Sequence, residues 1–134
     1  VRRLDEKVVV PPSVSEGNID FYQMVMLMAS EGYQRLVNNG VPREDARFLL
    51  PNAVETSMLL TMDGKALVHF LGLRNCNRAQ WEVRALADMI LDQLREVEPD
   101  IFNHVGPYCY QLGYCPEGIH TCGKMKKTVE RYKA

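Results

Sequence analysis

A chain of 134 residues carrying 16 basic and 17 acidic side chains has the size of one domain and a formal net charge of −1. Hydrophobic residues make up 46% and charged residues 25%, which suits a folded protein with a core of its own and excludes global disorder. The near-zero charge argues against a broadly basic nucleic-acid binder, and no apolar run reaches the roughly 18–20 residues of a membrane span, so neither nucleic acid nor membrane is expected as a partner.

The first residue is Val1 rather than Met, and the expectation is that residues upstream are missing from this sequence. Val8 to Val10 form a β-branched run stopped by Pro11 and Pro12, which predicts a short edge strand or an extended lead-in. Ser15 is placed to cap a helix with Glu16 and Asp20 in its first turn. Phe21, Val25, Met28, Gly32 and Leu36 then recur at helical spacing until Gly40, predicting a helix over 16–38 with Met24, Met26 and Met28 as gap-filling core. Pro42 followed by Glu44 and Asp45 opens a second, short helix that ends at Leu50–Pro51. Thr56 to Thr61 read as a buried strand or a short apolar connector. Asp63 and Gly64 mark a turn or the cap of the next helix, on which Leu67, Phe70, Leu71 and Arg74 lie on or near one face. Ala79, Val83, Leu86, Ile90 and Leu94 predict a helix over 78–97 ending before Pro99, with one more turn at Ile101 to Val105. Periodicity fades from Gly106, and the stretch from Lys124, with five basic residues against Glu130, reads as a solvated tail. The expected fold class is α+β: mainly helical, with a short edge strand and one buried strand.

Polar residues set among the apolar positions of two consecutive helices are the candidates for chemistry. Lys65 and His69 share a helical face; Arg74, Arg78, Gln80 and Glu82 follow, and Arg47 lies between Ala46 and Phe48. Each has an ordinary reading: a backbone-bonded His69, an Arg47 paired with Glu44 or Asp45, an Arg74 complementing a helix dipole. Together they also suit a planar, anionic ligand such as a nucleotide, since Arg stays charged and bonds phosphate or carbonyl oxygens in pairs.

Cys76 stands mid-chain, whereas Cys109, Cys115 and Cys122 crowd the C-terminal end. With Cys76 or His120 as a fourth donor, these are the ligand types of tetrahedral zinc. Free thiols or a disulfide are the alternatives, and the spacing is not that of a common zinc ribbon. The expectation is that no metal is bound, with Cys76, Cys109, Cys115 and Cys122 as the ligands of the minority reading. A chain of this size does not need disulfides to fold, so the cytoplasm is the expected compartment.

The segments NNGVPREDARFLLP and TMDGKALVHFLGLRNCNRAQWEVRALA resemble the C-terminal half of the flavin-dependent thymidylate synthase family. The specific parts are Glu44-x-Ala46-Arg47 ahead of Leu50–Pro51, and Leu73–Arg74 followed by Ala79-Gln80-Trp81-Glu82. The resemblance implies that residues 1–105 are the C-terminal part of that domain and 106–134 a Cys-bearing, basic extension. It further implies a homotetramer that binds FAD and dUMP and converts dUMP to dTMP, with methylenetetrahydrofolate and NADPH as co-substrates. On this resemblance Arg74 contacts the uracil ring and activates it, Arg47 contacts dUMP from a neighbouring subunit, and Asp63, Gly64, Lys65 and His69 contact FAD. Two departures stand out. The family's Asn-Ala-Arg at the flavin is Asp63-Gly64-Lys65 here, which loses an amide donor and a bidentate fork. The family's Arg-His-Arg…Ser…Arg-Tyr motif is absent from the sequence, so the chain alone is expected to lack activity. The alternative implied by these departures is a non-catalytic, degenerate or split subunit acting as an assembly module.

Overall fold

The helix predicted over 16–38 is present to the residue, as α1 (Glu16–Asn38). The structure, a computed structural model, describes residues 8–133; the lead-in before Val8 lies outside them. Two units divide the chain, one running to Leu59 and the other from Leu60.

In the first unit Ser15 sits at the N-cap, but its hydroxyl accepts from Asn18 Nδ2 at 2.9 Å rather than from a backbone N–H. A side-chain amide one turn on has outcompeted the helix for the same oxygen. Gly40, at φ +84°, reverses the chain after α1. α2 (Arg43–Ala46) and a 3₁₀ turn (Arg47–Leu49) then fold back on α1, where Leu49 Cδ1 would lie 3.1 Å from any Cβ at Gly32. Of the predicted edge strand only Val8 pairs, by an isolated antiparallel bridge to Val54. The Val9 amide donates to Ala53 O at 2.8 Å and the Tyr22 hydroxyl donates to Val9 O at 2.8 Å.

Two sequence expectations fail in this region. Thr56 to Thr61 form no buried strand: they lack regular structure, and Leu59 is 95% and Met58 74% exposed. No second strand among the described residues offers them a ladder, so their backbone is left to solvent. The methionine stripe is not core within the chain either. Met28 is 65% exposed and Met24 about half, Met26 is half-buried, and α1 has no buried residue.

The second unit holds the main core. α3 (Gly64–Arg74) is capped by Asp63, whose carboxylate accepts from the Ala66 amide at 2.7 Å. α4 (Trp81–Val97) starts three residues later than periodicity predicts. The Gln80 side chain accepts from the Glu82 and Val83 amides at 2.9 and 3.1 Å, so Gln80 is the cap and not helix. α5 (Pro99–Phe102) and α6 (Tyr108–Gln111) are single turns. The predicted solvated tail is instead a helix, α7 (Met125–Tyr132), with Thr128 and Tyr132 buried. Leu71 of α3, Ala87 and Leu91 of α4, Phe102, Val105 and Tyr132 form one apolar cluster, flanked by Leu67, Val68, Phe70, Ile90, Leu94 and Tyr110.

Two polar anchors hold α7 in place. Asp88 of α4 accepts from Asn75 Nδ2 at 2.6 Å, from Arg131 at 2.7 Å and from the Tyr132 hydroxyl. Burial and the Asp88 carboxylate both push the Tyr132 phenol above its ordinary range, so it is a fixed proton donor. Arg95 donates to the carbonyls of Phe102, Val105 and Tyr132 at 3.2, 3.2 and 2.8 Å, satisfying chain ends that helical bonding leaves open. Among the described residues no helix is long and apolar enough to cross a membrane.

Candidate functional site

Where α3 ends, the backbone turns through Asn75 to Ala79 before α4 begins, with the Ala79 amide donating to Cys76 O at 2.9 Å. This turn forms one wall of a cleft of about 180 Å³; α6, the loop after it and the start of α7 form the other. Arg74 and Arg78 stand on its rim, both exposed. Arg78 is spent in part on structure, donating to the His120 carbonyl. Arg74 makes no hydrogen bond or ion pair with any described side chain, which leaves its guanidinium free for an anionic or carbonyl ligand.

The predicted cofactor residues separate into two groups. Asp63 is used as the helix cap, so its carboxylate is committed to the Ala66 amide. Gly64 and Lys65 are exposed at the opening of α3, with open space where a Gly64 side chain would point. One turn along, exposed His69 does not bond a backbone carbonyl; its Nδ1 shares a short hydrogen bond with the Tyr108 hydroxyl. The two rings lie 6.0 Å apart at 57°. Tyr108 rests directly on Gly72, where an added Cβ would come within 2.9 Å of the ring. Arg47 belongs to the first unit; it is exposed, and among the described residues it forms no ion pair with Glu44 or Asp45.

Tyr108 is the residue that sequence reasoning missed. It lies 39 positions from His69, and no local pattern marks it; Pro107 ahead of it shows only that a short helix begins there.

All four cysteines line the same cleft. They are unpaired and half-buried, and no group of three or more His, Cys, Asp or Glu side chains among the described residues is arranged to hold a metal ion. Burial pushes the Cys109 thiol up, and Cys76, Cys115 and Cys122 add to the rise. Cys122 goes the other way: the Lys124 amide bonds its sulfur and holds it below the ordinary range, with Asn77 Nδ2 at 3.8 Å assisting. His120 does not line the cleft.

Residues 1–100 match the family of the thymidylate synthase complementing protein. The chain is 51% identical over 127 residues to the flavin-dependent thymidylate synthase of Geobacter sulfurreducens, an alignment covering 93% of this chain and 54% of that protein. It is 42% identical over 140 aligned positions to the enzyme of the same name from Thermococcus onnurineus, covering 98% and 57%. The Pyrococcus furiosus relative, also so named, is 38% identical over 137 positions, covering 97% and 56%. The chain thus spans about half the length of the curated relatives it matches. With the family model matching residues 1–100 and these relatives aligned over nearly the whole chain, the chain belongs to the thymidylate synthase complementing protein family, that of the flavin-dependent thymidylate synthases.

Proposed function

We propose that this chain supplies the C-terminal portion of a flavin-dependent thymidylate synthase, which methylates dUMP to dTMP. Methylenetetrahydrofolate would be the one-carbon donor and NADPH the reductant, in a cytoplasmic homotetramer of sister subunits. The observation that carries the reading is Arg74, the residue in the family's Leu-Arg motif, unpaired on the rim of a cleft. A fixed guanidinium beside the uracil carbonyls stabilises negative charge as it develops on the ring, and that makes C5 nucleophilic. Arg47, exposed on the other unit, is assigned to dUMP bound at a neighbouring subunit.

Gly64, Lys65 and His69 fit a flavin dinucleotide. The helix start is open, the lysine is a free cation, and the amides of an eleven-residue helix favour negative charge at that end. FAD, when bound, supplies hydride transfer. The hydrogen bond between the Tyr108 hydroxyl and His69 Nδ1 fixes the ring and leaves Nε2 without a partner among the described residues. Asp63, already engaged as a cap, contributes through its position and not as a donor to the cofactor. Residues 106–134 are read as an extension of the family domain. Because the Arg-His-Arg and serine motif is not within these 134 residues, they are expected to show no turnover by themselves. The test is Arg74→Ala in the complete enzyme. Methyl transfer to dUMP should fall by at least about tenfold, a loss on the order of 1.4 kcal/mol, with flavin retained. An unchanged rate would remove Arg74 from the catalytic residues and leave the assembly-module reading.

A further inference from the structure

The flavin-side reading uses α3 and leaves the thiols of the cleft without a role. Cys76 follows α3, Cys109 sits in α6, Cys115 lies in the next loop and Cys122 precedes α7. These are the four cysteines of the chain, and the fold brings all of them to the wall of one cleft of about 180 Å³. We propose that Cys76, Cys109, Cys115 and Cys122 form a tetrahedral thiolate site for Zn²⁺ that ties the C-terminal segment to the end of α3.

Three features beyond convergence support the assignment. The first is the backbone around the later cysteines. Gly118, three residues after Cys115, has φ +53°, and Gly123, next to Cys122, has φ +68°; both positions suit glycine and mark turns of the chain close to the two cysteines. At Cys122 the Lys124 amide comes within hydrogen-bond reach of the sulfur. The second is sparse anchoring: the loop is tied to the turn after α3 by side-chain bonds from Arg78 to the His120 carbonyl and from Asn77 to the Cys122 sulfur. Between α6 and α7 there is a single 3₁₀ turn (Gly118–His120), with Tyr114 60% and Ile119 93% exposed. A loop of this kind inside a folded unit needs a constraint other than apolar burial, and a structural metal is one of the few available. The third is charge. Four thiolates around one dication leave a net charge of −2, and Arg78 on the wall and Lys124, two residues after Cys122, supply positive charge beside it.

The fourth donor can be assigned. Cys76 is on the wall, whereas exposed His120 is not and only its carbonyl is engaged, by Arg78. Glu117 also borders the cleft, but a carboxylate is a poorer partner than thiolate for a borderline-soft cation. In the present rotamers the sulfurs are not yet arranged as a shell. Binding therefore requires the four sulfurs to draw together across the cleft they line. Binding breaks four S–H bonds, forms four Zn–S bonds and releases the protons to solvent; no electron is transferred. Cys109 adjoins Tyr108, so a closed site would also fix the phenol that holds His69.

The experiment uses the complete protein, reduced and stripped by chelator, then titrated with Zn²⁺ or Co²⁺. The expected result is about one zinc per chain after gel filtration, protection of the thiols from a thiol reagent, and an intense sulfur-to-cobalt charge-transfer band with tetrahedral visible bands. Cys115→Ser/Cys122→Ser should abolish retention. Should that variant fail to fold, Cys76→Ser alone should lose the four-sulfur cobalt spectrum at unchanged far-ultraviolet helicity. Zinc below about a tenth per chain, an octahedral cobalt spectrum, or paired disulfides in protein purified without reductant would each overturn the proposal.

Discussion

Gly72→Ala tests whether the contact of Tyr108 with α3 is a real constraint. An added Cβ would stand 2.9 Å from Cε1 and Cζ of Tyr108 and 3.1 Å from Cδ1. Comfortable carbon contacts begin at about 3.5 Å, so the ring must retreat by roughly 0.6 Å. It cannot simply swing away, because its hydroxyl is bonded to His69 Nδ1. Overpacking of this kind costs about 1–3 kcal/mol, and loosening an exposed hydrogen bond adds about 0.5 kcal/mol. Against this, alanine is better than glycine inside a helix by about 1 kcal/mol. The net expectation is a loss of about 1–2 kcal/mol. Gly64→Ala in the same helix provides the control, since nothing lies within 4 Å of its Cβ position; it should be neutral or stabilising by a few tenths of a kcal/mol. Urea unfolding at unchanged slope reads both. In a Tyr108→Ala background the Gly72→Ala change should turn neutral or favourable, because the clash is gone. Equal midpoints for Gly72→Ala and Gly64→Ala in the parent protein would refute the reasoning.

The anchors of α7 separate buried from exposed electrostatics. Asp88→Asn weakens three bonds at a largely buried carboxylate and should cost about 2 kcal/mol, whereas Arg131→Ala, whose side chain is 57% exposed in the same ion pair, should cost less than about 1 kcal/mol; urea midpoints distinguish them, and equal losses would contradict the assignment of Asp88 as the hub. Arg95→Met keeps the aliphatic packing but leaves the carbonyls of Phe102, Val105 and Tyr132 without their donor. It should cost about 2–4 kcal/mol, with amide exchange accelerating first in α5 and at the end of α7; uniform acceleration across α3 and α4 would argue against a local latch.

Local signals carried the long helices and failed where long-range contact decides. α1 and α3 were legible because period and cap agree: Gly40 after α1, Asp63 before α3. At α4 the period ran past the true start, since nothing in Arg78 and Ala79 is incompatible with helix; only the Gln80 side chain turning onto two amides ends it there. α7 was obscured by its charge. Met125, Thr128, Val129 and Tyr132 do recur at helical spacing, yet five basic residues around them read as solvent-facing, and the burial of Tyr132 depends on Asp88, 44 positions away. The site divides in the same way. Arg47, Arg74 and His69 stood out as polar residues within apolar stretches, while the meeting of Tyr108 with His69 and the convergence of the cysteines are products of the fold.

The methionine stripe of α1 carries a different lesson. Helical spacing of Phe21, Val25 and Met28 establishes that one face is apolar; it says nothing about what covers that face. Within the first unit the described hydrophobic residues that are fully buried reduce to Ala46, while Phe21, Met24, Leu27 and Met28 are all about half exposed or more. Ordering a residue costs roughly 1–2 kcal/mol of backbone entropy, and burying a large apolar side chain returns roughly 1.5–3 kcal/mol. A 23-residue helix with no buried side chain therefore lacks the apolar return that ordinarily holds a helix of this length in place. Its stability must draw on surface beyond the segment ending at Leu59.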